Sequence, residues 1–202
     1  MRIFRPWFFI RWFYPGAFFR IRVRDKKLFL TFDDGPDPHV TPQIISILGN
    51  HGVKALFFCN GKMAEKNPDI ITCLKGSGHL IGNHGYEHSD GLRTGREEYI
   101  RNVMQADSFT SARVFRPPYG RLKLSQFTEL RKKYRIFFWD LMPYDFDKGL
   151  EPHSCLGILT SRLRSGSIIV LHDKAGSSAP AFLDEFIRNA LSLGYEFCLP
   201  EL

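Results

Sequence analysis

A chain of 202 residues, 44% hydrophobic and 24% charged, has the size and composition of one globular domain with a sizeable core. It holds no low-complexity tract and no internal repeat, which excludes disordered and solenoid classes. The net charge of +7 does not mark a nucleic-acid binder: residues 1–27 hold six Arg and two Lys against one Asp, and the remainder balances 20 basic against 20 acidic residues.

Residues 1–25 read as a basic, aromatic N-terminal arm, and residues 26–202 as the domain proper. Arg11 interrupts the apolar run and Pro15-Gly16 follows without a small-x-small site, so the arm does not read as a cleavable signal peptide. It is too short to cross a bilayer, which takes about 20 mostly apolar residues. Two readings remain: aromatics packed on the outside of the domain, or a peripheral membrane contact with rings at headgroup depth and Arg on anionic lipid. With no cleavable signal or spanning segment visible, a cytoplasmic or membrane-peripheral location is expected. The four cysteines form no CxxC pair and are expected as buried thiols.

Lys27–Phe32 is an apolar run stopped by Asp-Asp-Gly-Pro, hence a buried strand ending in a turn. Thr41-Pro42 opens a helix through about His51. Lys54–Cys59 is a second strand, Asn67-Pro68 starts a helix ending near Gly76, and His79–Asn83 is a third strand. A helix follows over about Glu97 to Ser111, and Val114-Phe115 is brief and extended. Leu124–Lys133 reads as helix, Arg135–Trp139 and Ser167–Leu171 as strands, and Pro180–Leu193 as helix. Alternating strands and helices argue for parallel βα units, and apolar runs without alternation for strands covered on both faces. A full eight-fold barrel takes about 250 residues, so the expected fold is α/β, a single distorted, incomplete (β/α) barrel.

Titratable groups recur just after the strand-like runs: Asp33-Asp34, His84, Arg116, Asp140 and His172. In a βα barrel these points converge on the C-terminal mouth, where active sites are built. His84 and His88, four apart, fall on one face of a helical turn and share an ion if a third ligand joins them. Asp34 is that candidate. Two His and a carboxylate leave an open position, the pattern of a catalytic zinc site that also accepts cobalt, manganese or iron. Asp33 is then free to act as general base. The stiff Arg116-Pro117-Pro118-Tyr119-Gly120 segment offers Arg116 as a bidentate grip on Asp33, and the Tyr119 N–H as an oxyanion donor. Amide hydrolysis must also protonate a poor leaving group, and His172 is the candidate acid, with Asp145 or Asp140 as its carboxylate partner. Leu171 is expected in a small apolar pocket for a methyl group, with Trp139 in the same pocket.

Together these segments resemble the polysaccharide deacetylases, carbohydrate esterase family four, over roughly residues 26–200. Thr31-Phe32-Asp33-Asp34-Gly35-Pro36, the His84/His88 pair, Arg116–Gly120 and Leu171-His172 match the family's motifs in order. The resemblance implies a distorted (β/α) barrel, Asp33 as base, Asp34, His84 and His88 as metal ligands, and His172 as acid. It aligns Asp145-Phe146 with the family's Asp-Trp pair, which makes Asp145 the group that tunes His172 and Phe146 an aromatic wall. One departure bears on the metal site: Gly85 stands where the family carries Ser or Thr, a hydroxyl that braces the loop.

The activity this implies is zinc-dependent removal of N-acetyl groups from N-acetylglucosamine-type sugars. The partner is an acetylated amino-sugar oligomer or polymer, acted on by a monomer that does not bind nucleic acid. Two alternatives are an O-acetyl esterase on acetylated polysaccharide, which would lean less on His172 because an alkoxide leaves more easily, and a non-catalytic sugar-binding protein.

Overall fold

The structure is a computed structural model and describes residues 2–201. Its strands are β1 (Lys27–Asp33), β2 (Leu56–Cys59), β3 (Leu80–Asn83), β4 (Val114–Phe115), β5 (Arg135–Ile136), β6 (Ser167–His172) and β7 (Glu196–Phe197). The helices between them are α1 (Ile10–Phe13), α2 (Val40–Asn50), α3 (Gly61–Lys66), α4 (Pro68–Gly76), α5 (Arg96–Thr110), α6 (Leu124–Leu130), α7 (Pro152–Arg162) and α8 (Ala179–Ser192). Every strand pairing is parallel. The strand order is β5-β4-β3-β2-β1-β6, with β7 beside the start of β1.

The unbroken apolar runs are explained by two cores. Leu28, Leu30 and Phe32 of β1, with Ile169 and Leu171 of β6, pack outward against buried residues of α2, α4, α7 and α8. The alternate residues Phe29, Leu56, Phe58 and Ile168 face the other way and fill the interior with Val114 and Phe137. Successive side chains of a strand point to opposite faces. The same parity therefore carries Thr31 and Asp33 of β1, and Val170 and His172 of β6, up the inner face to the mouth. Register brings the strand ends level, since Asp33 is the Cα partner of both Phe58 and His172, and Cys59 pairs with Asn83.

The barrel closes irregularly. β5 stops after two residues instead of running to Trp139, because the Phe138 amide donates to the Phe18 carbonyl of the arm. The chain then turns onto β6, where Leu141 bridges Ile169. This is the distorted, incomplete (β/α) barrel expected from the alternation of elements. α3, α7 and β7 are elements the sequence pattern did not reveal. α2 starts one residue before Thr41, because the Asp37 carboxylate accepts from the Val40 amide and caps that turn.

The arm is interleaved with the domain. Phe19 is buried against Phe138, and Phe18 bridges Phe137. Trp7, Phe8, Trp12 and Phe13 are exposed, at 52%, 73%, 76% and 56%. Among the described residues no helix is long and apolar enough to cross a membrane. All four cysteines are free, but only Cys59 and Cys155 are buried, and Cys73 lies exposed on α4.

Candidate active site

The residues just past the ends of β1, β3, β4 and β6 converge on one cavity of about 270 Å³. Asp33, Asp34, His84, His88, Arg116, Tyr119, Trp139, Phe146 and His172 all line it. Backbone strain is concentrated here. Of the five non-glycine residues with positive φ among the described residues, four line the cavity: Asp34 (79°), His88 (53°), Tyr119 (59°) and Tyr144 (64°). Such conformations cost roughly 1–3 kcal/mol each and persist where the surrounding structure dictates them.

Asp34, His84 and His88 bring their ligand atoms within 4.8 Å of one another. Asp34 Oδ1 lies 2.8 Å from His88 Nε2 and 3.3 Å from His84 Nε2. Neither contact has the geometry of a hydrogen bond, so among the described residues that buried oxygen has no hydrogen-bond partner. His84 Nδ1 sits 2.8 Å from the Arg116 carbonyl, which only accepts, so the proton is on Nδ1 and the lone pair on Nε2. An orphaned carboxylate oxygen facing two imidazole nitrogens, one fixed in the ligating tautomer, fits a divalent cation.

The two histidines do not share a helical turn. Residues 84–88 form a loop in which Gly85 has a φ of 73°, and the chain's reversal brings the imidazoles to 5.1 Å between centroids. The hydroxyl missing at Gly85 is replaced from elsewhere. Asn102 of α5 extends its side-chain carbonyl into the loop and accepts from the amides of Tyr86 (2.9 Å) and Glu87 (3.3 Å). A Cβ at Gly85 would come within 3.1 Å of that oxygen. On the other side, Asn83 accepts from the Gly85 amide at 2.8 Å.

Asp33 is held by Arg116 through one bond, Nη1 to Oδ1 at 2.6 Å, and not by the bidentate grip expected. The terminal nitrogens are shared with other partners, while Nε has none among the described residues. Nη1 also donates to Thr31 Oγ1 (2.7 Å), Nη2 donates to the Phe138 carbonyl (3.0 Å), and the plane lies 4.1 Å from the Phe58 ring centroid. Arg116 is 1% exposed, and burying an unpaired charge costs several kcal/mol, so these contacts are what make it tolerable there. Asp33 Oδ2 is left facing the ligand group, 4.0 Å from His84 Nε2.

Across the cavity, His172 Nδ1 lies 2.9 Å from Asp145 Oδ1, and the His172 amide donates to Asp145 Oδ2 at 2.8 Å. Ser177 donates to the same oxygen. Burial opposes the imidazolium, but the Asp145 charge and hydrogen bond outweigh it, and the pKa of His172 is raised. The other candidate partner, Asp140, is excluded. It accepts from Arg164 and Ser167 and pairs with Arg5 of the arm. Phe146 meets the His172 ring edge to face at 4.6 Å.

Leu171 does not line the cavity. Its side chain is fully buried in the outer core, and Val170, one residue back, faces the site. Two residues not anticipated from sequence belong here. Lys174 Nζ stands 2.5 Å from Asp34 Oδ2 at the cavity rim. Asp173 lies buried beneath the loop that carries Asp34, accepting from the Gly35 amide (3.0 Å) and the Thr41 hydroxyl (2.8 Å). Burial, with the Asp34 and Asp33 charges, pushes its pKa up to about 8. The signal for Asp173 was its adjacency to His172. It carried no information without the fold, because its partners lie 132 and 138 positions away.

Comparison with known proteins shows the family. Residues 20–135 match the family described as polysaccharide deacetylase. A chitooligosaccharide deacetylase of Sinorhizobium fredii is 30% identical over 185 residues, covering 87% of this chain and 85% of that protein. A peptidoglycan-N-acetylglucosamine deacetylase of Bacillus cereus is 32% identical over 162 residues, 77% of this chain. A solved peptidoglycan N-acetylglucosamine deacetylase superposes with a TM-score of 0.88 at 28% identity, over 96% of this chain and 94% of the other. The chain belongs to the polysaccharide deacetylase family. It spans 58% of the Bacillus cereus relative's length and 38% of a related Listeria monocytogenes deacetylase. The fold alone does not carry activity: a Bacillus anthracis protein described as a pseudoenzyme of carbohydrate esterase family four has a TM-score of 0.83 at 23% identity.

Proposed function

We propose that this chain hydrolyses the acetamide of an N-acetylglucosamine-type sugar, releasing acetate and a free amino sugar, with zinc as its metal. The observation that carries this is the placement of a carboxylate and an imidazole, each held by a partner of opposite charge, beside the Asp34–His84–His88 cluster. Asp33 accepts from the Arg116 guanidinium, and His172 Nδ1 faces the Asp145 carboxylate, which favours the imidazolium. Asp34, His84 and His88 hold the cation, which when bound polarises the acetyl carbonyl and makes a water more acidic.

The remaining work falls to the chain. Asp33 Oδ2 takes a proton from the attacking water, since Oδ1 is engaged by Arg116. The water oxygen bonds to the carbonyl carbon, and the Tyr119 N–H stabilises the oxygen that becomes negative. The positive φ of Tyr119 turns this peptide at the cavity wall. His172 Nε2 gives its proton to the nitrogen as the carbon–nitrogen bond breaks. Nδ1 stays on Asp145 throughout, which fixes the ring and favours its charged form. Val170, Trp139 and Phe146 supply the apolar surface for the methyl group and exclude water from it.

The test is acetate release from acetylated chitooligosaccharides, peptidoglycan and acetylxylan, with and without added zinc. Zinc-dependent release from the amide substrates is the expected result. Release from acetylxylan alone would assign the site to ester hydrolysis, and sugar binding without release from any substrate would remove the hydrolytic reading.

A further inference from the structure

Tyr119 and Trp139 each face two cavities. These two residues, with Gly120, Arg121 and Tyr144, also line a second space of about 420 Å³. Its far wall is the N-terminal arm, contributed by Ile3, Pro6, Trp7 and Ile10. The arm is latched in place on this side. Arg2 pairs with Asp147 at 2.6 Å, and the Ile3 amide donates to the Tyr144 hydroxyl at 3.0 Å. The Met142 amide donates to the Phe4 carbonyl at 3.0 Å, and Arg5 pairs with Asp140. The loop these contacts grip, residues 140–147, is the one that carries Asp145 and Phe146.

We infer that this groove is a sugar subsite, in which the residue next to the reacting N-acetyl sugar in the same chain stacks on Trp7. This deepens the deacetylase reading and rests on it. Three observations favour a sugar. The groove shares Tyr119, Gly120, Arg121, Trp139 and Tyr144 with the catalytic cavity, so its occupant lies directly beside whatever reacts there. Its volume falls in the range of small-ligand sites, and its walls combine flat rings with polar tips. The C–H face of a pyranose packs on Trp7, which is otherwise left half exposed. Its hydroxyls meet the Tyr119 hydroxyl and the Arg121 guanidinium, of which only Nη1 is engaged, by Asp90, among the described residues.

The test uses the full chain with N-acetylated glucosamine oligomers of one to four sugars, comparing wild type, Trp7→Ala and Trp12→Ala. Trp12 is exposed and outside the groove, and its variant is the control. Wild-type kcat/KM is expected to rise from monomer to trimer. Trp7→Ala is expected to lose about tenfold more on the trimer than on the monomer, about 1.4 kcal/mol, while Trp12→Ala tracks wild type at every length. Calorimetric binding of the trimer to the His172→Ala protein, with and without Trp7→Ala, should show the same loss without turnover. An equal loss at all lengths, or none, overturns the subsite while leaving the deacetylase reading intact. So does a Trp7-dependent preference for an alkyl glycoside over the trimer, which would assign the groove to a lipid chain. Trp7-dependent trimer binding with no acetate released from any oligomer keeps the subsite and removes the hydrolytic reading.

Discussion

Asp33 and His172 are Cα partners across β1 and β6, on the same inner face of the sheet, yet each is held by a different counter-charge. Arg116 binds the first at 2.6 Å and Asp145 the second at 2.9 Å. One pairing of adjacent strands thus sets a carboxylate and an imidazole, the proposed acceptor and donor of protons, at the mouth of one cavity.

The pH profile should show this division. Asp145 raises the pKa of His172 against the opposing effect of burial, so the acid form survives to higher pH than in a free histidine. Activity is expected to fall as pH rises through the folded-state pKa. Asp145→Asn is expected to move that alkaline limb to lower pH. The same group stabilises the fold: its contribution is complete below the unfolded pKa of about 6.5 and is lost as pH climbs through the raised folded value. Rate-against-pH curves of the two proteins check the shift, and superimposable alkaline limbs would contradict it.

Asn102 should matter to metal binding although it touches no ligand atom. Its carbonyl holds the amides of Tyr86 and Glu87, between the two histidines. Removing such a support typically costs 10–100-fold in metal affinity. Asn102→Ala is expected to weaken zinc binding by about that factor, measured by chelator competition. Gly85→Ser is expected to weaken it as well, because a Cβ there meets Asn102 at 3.1 Å on a backbone with a φ of 73°. Unchanged zinc affinity in Asn102→Ala would show that the loop holds itself.

Much of the site was legible because it sits at strand ends, which the apolar runs mark. What the sequence could not show was which face a fully buried strand turns inward. β6 is apolar at every position from Ile168 to Leu171, so Leu171 and Val170 are indistinguishable until register is known, and a one-residue slip exchanges their faces. The histidine pair was legible as a pair but not as a loop, since its shape depends on Asn102 and Asn83, which the motif does not include. β5 is shorter than its apolar run because the Phe138 amide bonds to Phe18, which lies on the arm. α3 carried an overlooked signal: Asn60 caps it by accepting from the Met63 amide.

Asp173 offers a test through stability. Its folded pKa of about 8 lies well above the unfolded carboxyl value of about 3.9. The folded state therefore keeps a proton that the unfolded state has lost. Stability from this group is complete below about pH 4 and declines as pH rises towards about 8. Asp173→Asn retains an acceptor for the Gly35 amide and removes the titration. Thermal melts of the metal-free proteins from pH 6 to 9 are expected to fall less steeply for the variant. Parallel curves would contradict the assignment.

The most direct measurement is the rate of acetate release by Asp33→Asn and His172→Ala proteins shown to retain one zinc per chain. General acid and base groups contribute typically 10²–10⁴-fold each, so both rates are expected to fall by roughly that range while zinc affinity stays near wild type. Near-wild-type turnover in either variant, with the metal in place, would contradict the division of labour between Asp33 and His172.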